Sequence, residues 1–354
     1  MFVSRGFSTV MLAAAGLGVA LLTGLTPLAA AMGRILPMGG VLAFSTPTDP
    51  RSEWTIMLLD VRTRLLYAAG SYNWRIPLPL QWSPDGTRLA FATVSTPSDI
   101  YIRDIYAGKT TNLTRSYAED RYPTWSPDGS RLLFFSNVGG PFEIYSIAPD
   151  GTDLTRLTSD EGILPTFSPD GGHILFTATA WRHLHLMNAD GSGVRPVTQG
   201  PRYDENAVWS PDGQQIAFIG RVSDGAQVGM FIFMMSSACL DDPTCEPTMP
   251  FPDFRFQGMP QWSPDSRYLA FVGQTRRDRL DAIYVMDREQ GGEPRQLVSD
   301  VMYAYVERWP MWSPDSRTIA FARRNQPGLF LVEVATGKID QLLDIRTVYP
   351  VWKP

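Results

Sequence analysis

Three kinds of short stretch in this chain have residue types and spacings that chemistry uses. His183 and His185 stand two apart in WRHLHLMN, a spacing that puts both imidazoles on one face of a strand, where a pair can hold a divalent metal. A Ser-Pro-Asp phrase, first met at Ser83, sets a hydroxyl beside a carboxylate, the raw material of an activated nucleophile. The segments APDGTD (148–153) and MNADGSG (187–193) have the Asp and Gly content of calcium loops.

Each has a plainer explanation. The serine phrase occurs six times, and no G-x-S-x-G frames it, so it reads as a turn and not as a catalytic centre. His185 falls where other repeats have Tyr101, Tyr145, Tyr284 and Phe330, which makes it a substitute for an aromatic residue; the chain's one other histidine is His173. The calcium-like segments lack the downstream bidentate Glu and sit where a hairpin turn is required anyway. No cofactor is therefore expected, and His183 and His185 remain only weak metal candidates.

The elements that must position any site come from the repeat. Aligned on its aromatic residue, the phrase starts at Trp82, Trp125, Phe167, Trp209, Trp262 and Trp312, at intervals of 43, 42, 42, 53 and 50 residues. Such a period belongs to propeller blades, solenoids or arrays. Nine residues after each aromatic stands Phe91, Phe134, Phe176, Phe218, Phe271 or Phe321, so the stretch between is one rigid hairpin. Pro84 presets its own φ, Ser83 and Asp85 bond to nearby backbone, and Gly86 is free to take positive φ. Ser266 and Ser316 replace that glycine in the last two copies, at an expected cost of about 1 kcal/mol each.

Runs such as Leu89-Ala90-Phe91 are apolar on both alternating faces, as in a strand covered on both sides. A third strand (DIYIRD, 99–104; AIYVMD, 282–287) and a fourth (TTNLT, 110–114; PRQLV, 294–298) complete a unit. Four strands per period of this length make a blade of an all-β propeller. At the N-terminal side 41–45, 55–60 and 64–69 supply three strands without a first, and YPVWKP (349–354) supplies a first strand alone. The expectation is seven four-stranded antiparallel blades, with the ring closed by the C-terminal strand; the alternative is six blades.

The W-S-P-D-G hairpin followed by I-A-F and I-Y-x-x-D resembles the repeat of TolB-type β-propellers, also seen in the propeller domains of tricorn and prolyl-oligopeptidase-like peptidases. The resemblance covers residues 38–354. It implies the fold far more than a function, because propellers host many activities. It also marks departures: a TolB-type protein carries a six-bladed ring behind an α/β domain, and the peptidases add a hydrolase domain, neither of which is expected here. Some propeller lyases of pectic oligosaccharides are similar in using His ligands for a metal, which gives the His183 region an enzymatic alternative as a metal-dependent polysaccharide lyase or hydrolase.

From Gly6 to Gly33 the chain has no charged residue, which fits a signal peptide over 1–31 with a small-residue cleavage site, or an N-terminal membrane anchor. Either implies an extracytoplasmic protein, periplasmic or on the cell surface. Cys239 and Cys245 agree, being close enough to close a small loop as a disulfide. The net charge of -5, with no dense run of Lys or Arg, argues against nucleic acid.

Recognition is expected at the loops that lead into each first strand, since these differ from blade to blade while the turns do not. They bring Arg121, Tyr122, Asp204, Glu205, Glu307, Arg308 and Trp309 toward one end of the central channel, and Arg among aromatics is the composition of binding hot spots. The expected role is a binding module or scaffold, more than an enzyme, for an envelope protein, peptide or glycan.

Overall fold

The computed structural model describes residues 40–47, 54–72, 80–93, 96–159, 161–180, 182–223, 228–242, 244–256, 258–275, 281–301, 310–323, 326–345 and 348–354. The apolar N-terminal run and Glu307, Arg308 and Trp309 lie outside them.

Seven antiparallel sheets form seven blades. Blade 1 holds β1 (Val41–Pro47), β2 (Trp54–Asp60) and β3 (Leu66–Tyr72). Blade 2 holds β4 (Gln81–Trp82), β5 (Arg88–Ala92), β6 (Ile100–Asp104) and β7 (Thr110–Asn112). Blade 3 runs from β8 (Asp120–Trp125) through β9 (Leu132–Ser136) and β10 (Glu143–Ile147) to β11 (Thr155–Arg156). Blade 4 has β12 (Gly162–Phe167), β13 (His173–Ala178), β14 (His183–Asn188) and β15 (Arg195–Pro196). Blade 5 has three strands, β16 (Tyr203–Trp209), β17 (Gln215–Val222) and β18 (Gly229–Ser236), followed by a 3₁₀ helix over Ser237–Asp241. In blade 6 the innermost strand is split into β19 (Phe254–Phe256) and β20 (Gln261–Trp262), both paired with β21 (Tyr268–Thr275), beyond which lie β22 (Ala282–Asp287) and β23 (Arg295–Ser299). Blade 7 holds β24 (Met311–Trp312), β25 (Thr318–Phe321), β26 (Leu329–Glu333) and β27 (Ile339–Leu343), and β28 (Val348–Trp352) returns to blade 1.

Closure is direct. Leu42 pairs with Trp352 and Ala43 with Val351, and the Lys353 N–H donates to the Val41 carbonyl at 2.8 Å. The innermost strands then touch in sequence all the way round. A belt of indole bonds ties neighbours together: Trp82 Nε1 donates to Val351 O, Trp125 to Gln81 O, Trp312 to Gln261 O and Trp352 to Met311 O, at 3.1 to 3.3 Å. Each acceptor is the residue just before the preceding blade's own tryptophan, so β28 serves as donor to blade 7 and as acceptor from blade 2.

The serine phrase is consumed by the turn. Ser83 Oγ donates to Asp85 Oδ1 and accepts the Arg88 N–H at 2.9 Å, while Asp85 Oδ1 accepts the Thr87 N–H at 3.0 Å. The same set recurs at Ser126, Ser168, Ser210, Ser263 and Ser313. A serine that donates to a carboxylate and accepts from backbone in six copies is a structural residue. Gly86, Gly129, Gly171 and Gly213 take φ of 63° to 74°, and Ser266 and Ser316 keep the same left-handed conformation at 63° and 60°. These two serines gain something glycine cannot supply: Ser266 Oγ accepts the Asp212 N–H at 2.9 Å and Ser316 Oγ the Asp265 N–H at 3.0 Å, each across a blade junction.

Two stability outcomes follow. Trp352→Ala removes a buried ring and a belt bond at the closure, and should cost about 3–5 kcal/mol in urea denaturation; an unchanged midpoint would show that the ring does not depend on β28. Ser266→Gly should be close to neutral, because relief of roughly 1 kcal/mol of left-handed strain offsets the loss of a hydrogen bond of about the same worth, whereas Ser266→Ala keeps the strain and should cost about 1 kcal/mol.

Candidate functional site

The innermost strands of blades 3, 4 and 5 each bend at a bulge. Their register slips between Arg121 and Thr124, between Ile163 and Thr166, and between Glu205 and Val208. Within each slip one non-glycine residue is left-handed: Tyr122 (φ 57°), Leu164 (φ 54°) and Asn206 (φ 58°). That conformation costs a leucine or tyrosine about 1–2 kcal/mol. It persists because the next residue is buried in every case, as Pro123, Pro165 and Ala207. Bulges re-aim the residues around them and gather at the rims of sites. Here they set Arg121 and Tyr122, on blade 3, and Glu205 and Asn206, on blade 5, at the leading-loop end of innermost strands on either side of blade 4.

Blade 3 carries the aromatic half. The Tyr122 ring stacks on Phe135 at 5.2 Å, Phe135 meets Phe142 edge-on at 5.3 Å, and the Arg121 guanidinium lies 5.7 Å from the Phe142 ring centre. Arg121 is also ion-paired with Glu119, whose N–H donates to Asn137 Oδ1 at 2.7 Å. Tyr117 and Val138, on loops of the same face, are 101% and 58% exposed. Beneath them Asp120 is buried, with Ser116 Oγ donating to its Oδ2 at 2.9 Å.

Blade 5 carries the charged half. Glu205 is half-buried, and burial raises its carboxyl above the ordinary value while the Arg221 charge and a hydrogen bond from Tyr203 pull it back. Asp204 is fully buried, under the rim and not on it. Arg202 Nε donates to its Oδ1 at 2.8 Å, and the Arg202 guanidinium sits 4.7 Å from the Phe233 ring. Burial raises the Asp204 carboxyl too, against hydrogen bonds from Thr198 and Arg202 and the Arg202 charge.

The two histidines face different neighbours. His185 pairs with Phe176 across the blade with ring centres 5.7 Å apart, as Tyr101 does with Phe91 and Tyr284 with Phe271; its imidazole is pushed toward the neutral form by burial. His183 Nδ1 stands 3.8 Å from Asp204 Oδ2, too far for a hydrogen bond. Among the described residues no three of His, Cys, Asp or Glu are placed to hold a metal ion. The segments at 148–153 and 187–193 are hairpin turns in which Asp150 and Asp190 bond the backbone two residues on. Cys239 and Cys245 are joined as a disulfide beside blade 5.

Comparison with known proteins fits this architecture. The family described as TolB beta propeller domain matches residues 37–179. The Tol-Pal system protein TolB of Geobacter metallireducens is 48% identical over 82 residues, 22% of this chain and 19% of that protein. Residues 37–179 are those of a TolB-type propeller. An uncharacterized protein of Agrobacterium fabrum is 31% identical over 157 residues, 39% of this chain and 53% of that one, so the chain spans only part of the curated relatives it matches. Among solved structures, TolB from Acinetobacter baumannii superposes with a TM-score of 0.56 at 19% identity, over 92% of this chain and 69% of that one. An oligogalacturonate lyase in complex with manganese reaches 0.63 at 13% identity (83% and 85% covered), and a puromycin hydrolase mutant 0.66 at 15% (93% and 56%). At such identities the likeness is one of fold.

In this propeller Phe142 and Arg221 complete the rim from other loops and strands, so spacing around the aromatic of the hairpin does not reveal them, whereas Glu119 and Tyr203 each stand six residues before the aromatic of their own blade. Tyr122, Leu164 and Asn206 likewise share one position three residues before the aromatic.

The raised Asp204 carboxyl sets a pH dependence. A folded-state value above the unfolded one favours folding while the group is protonated, in full below the ordinary 3.8, and that advantage is lost as pH rises through the folded value. Asp204→Asn should thus gain stability relative to the parent as pH rises through that window, by about 1.4 kcal/mol for each pH unit that the window spans. Melts across pH 3 to 7 check this; a gap that stays constant with pH would show that Asp204 is not raised.

Proposed function

We propose that this TolB-type propeller is an exported, non-catalytic binding module that holds an envelope protein or peptide on its leading-loop face. The observation that carries the reading is the blade 3 cluster, in which Arg121 and Tyr122 pack on Phe142 and Phe135 while Tyr117 stands fully exposed beside them. Preorganised aromatics with an arginine give contact area at low entropic cost, which is what protein hot spots require. Blade 5 adds charge, with Glu205 and Arg221 available to fix the orientation of a partner. The name of the G. metallireducens relative as a Tol-Pal system protein supports a role among envelope proteins. Export rests on the charge-free run from Gly6 to Gly33, proposed as a signal peptide over 1–31 or a membrane anchor, ahead of a propeller domain over 38–354. Among the described residues no helix is long and apolar enough to cross a membrane.

Crosslinking in intact cells followed by purification identifies the partner, and titration measures it. Tyr117→Ala combined with Arg121→Ala should weaken binding by about 2 kcal/mol or more, some thirtyfold, with an unchanged melt. Normal binding by that double variant, with loss of binding on substitutions in the Ser-Pro-Asp turns of a still-folded protein, would place the working face at the other end. N-terminal sequencing of the native protein should begin near Met32, or the protein should fractionate with membranes and face outward; a cytoplasmic protein starting at Met1 would overturn export.

A further inference from the structure

On the opposite, turn-bearing face a recess of about 410 Å³ opens at the junction of blades 4 and 5. One feature there is a missing cover. In blades 2 and 6 the residue five positions after the turn serine covers the next blade's tryptophan: the Arg88 guanidinium lies 4.8 Å from the Trp125 ring centre, and Tyr268 stacks on Trp312 at 5.9 Å. In blade 4 this residue is His173, and among the described residues it makes no ring contact with Trp209. Trp82, Trp125, Trp262, Trp312 and Trp352 are 7% to 9% exposed, whereas Trp209 is only partly buried and lines the recess. The belt bond that would draw the junction shut is absent too, since Trp209 Nε1 has no acceptor among the described residues.

The other walls are polar in a particular way. The 3₁₀ helix that follows β18, ahead of the single bridge by which Thr248 pairs with Met234 on blade 5's outer edge, supplies Leu240 and Asp241, held by the Cys239–Cys245 disulfide, and Asp241 is ion-paired with Arg195 from blade 4. Asp170 Oδ1 is occupied by Ser168 Oγ and the Gly172 N–H, while its Oδ2 accepts no hydrogen bond among the described residues. Asp212 is neutralised by Arg288 at 2.7 Å. One carboxylate, Asp170, is thus left in excess beside an open indole face.

We infer that this recess is a saccharide subsite for a neutral or amino pyranose. A pyranose has one C–H face that packs on an aromatic ring and a rim of hydroxyls that each donate and accept. Trp209 offers the ring, Asp170 Oδ2 accepts, and the Arg195–Asp241 pair does both. The volume lies within the roughly 300–1,000 Å³ of small-molecule sites. The excess carboxylate disfavours uronates and phosphates. The site is independent of the leading-loop face.

The test is saturation-transfer NMR with titration, using N-acetylglucosamine, its β-1,4 tetramer and galacturonic acid on the full chain. Ring protons of the first two should receive saturation, and galacturonic acid should bind at least tenfold more weakly. Trp209→Leu should lose at least tenfold in affinity and Trp209→Phe less, with both folded, since Phe167 already fills this position in blade 4. Tyr117→Ala with Arg121→Ala should leave sugar binding intact. No saturation of any probe, galacturonic acid binding as well as the neutral sugars, or Trp209→Leu binding like the parent would each overturn the assignment.

Discussion

No blade of this propeller can bury its own faces. A four-stranded sheet here is apolar on both sides, and the alternation along one strand sends consecutive residues to different neighbours. In β5, Leu89 and Phe91 pack with blade 1, while Ala90 and Ala92 pack with blade 3. The six apolar clusters all bridge blades, and together they run the whole circuit, from blades 1 and 2 round to blades 7 and 1. The circuit exists only if the ring closes, which makes the β28–β1 pairing the constraint on which every other contact rests. Trp352 sits in the cluster joining blades 7 and 1, so the closing strand supplies both the hydrogen bonds and the apolar seal.

Most of this architecture is legible in sequence because the repeat is enforced by local chemistry. The fixed nine residues from aromatic to phenylalanine reflect a turn whose serine and aspartate bond each other and the backbone two and five residues away, geometry that tolerates no insertion. His185 is legible for the same reason, since it stands in an aromatic column whose other members are visible. The bulges are not. Leucine and tyrosine have no local preference for positive φ, and Leu164 and Tyr122 adopt it only because the strand must satisfy the tryptophan or phenylalanine anchor at one end and the leading loop at the other. The burial of Asp204 is equally hidden, because its Arg202 and Thr198 partners are contributed by the preceding connection and not by the repeat.

The two faces divide labour in a way that follows from strand direction. Turns that must be identical to keep blades in register gather at one end, and loops with no such duty gather at the other. The aromatic and charged rim therefore appears where variation is free. Blade 5 breaks the division, since its outer edge is paired only by the Thr248 bridge to Met234 and a disulfide-bonded 3₁₀ segment stands at the turn end of β18.

The belt of indole bonds fails at consecutive junctions, and the failures are compensated. Phe167 has no indole to donate, and Trp209 and Trp262 have no acceptor among the described residues, so the junctions from blade 3 to blade 6 lack the bond that ties the others. That same arc holds one apolar cluster continuous through blades 4, 5 and 6, which includes Phe218, Phe251, Phe254, Phe256 and Phe271. On the turn face it gains the Ser266-to-Asp212 bond and the Arg288 bridge to Asp212 and Gln214. The junctions of blade 5 with blades 4 and 6 are thus fused by bulk burial and side-chain bridges, where four other junctions are stitched by repeated single bonds. Stitched junctions have one geometry; fused ones adapt to what fills them. A chain that needs one irregular blade can accommodate it only inside the fused arc, and blade 5 lies at its middle.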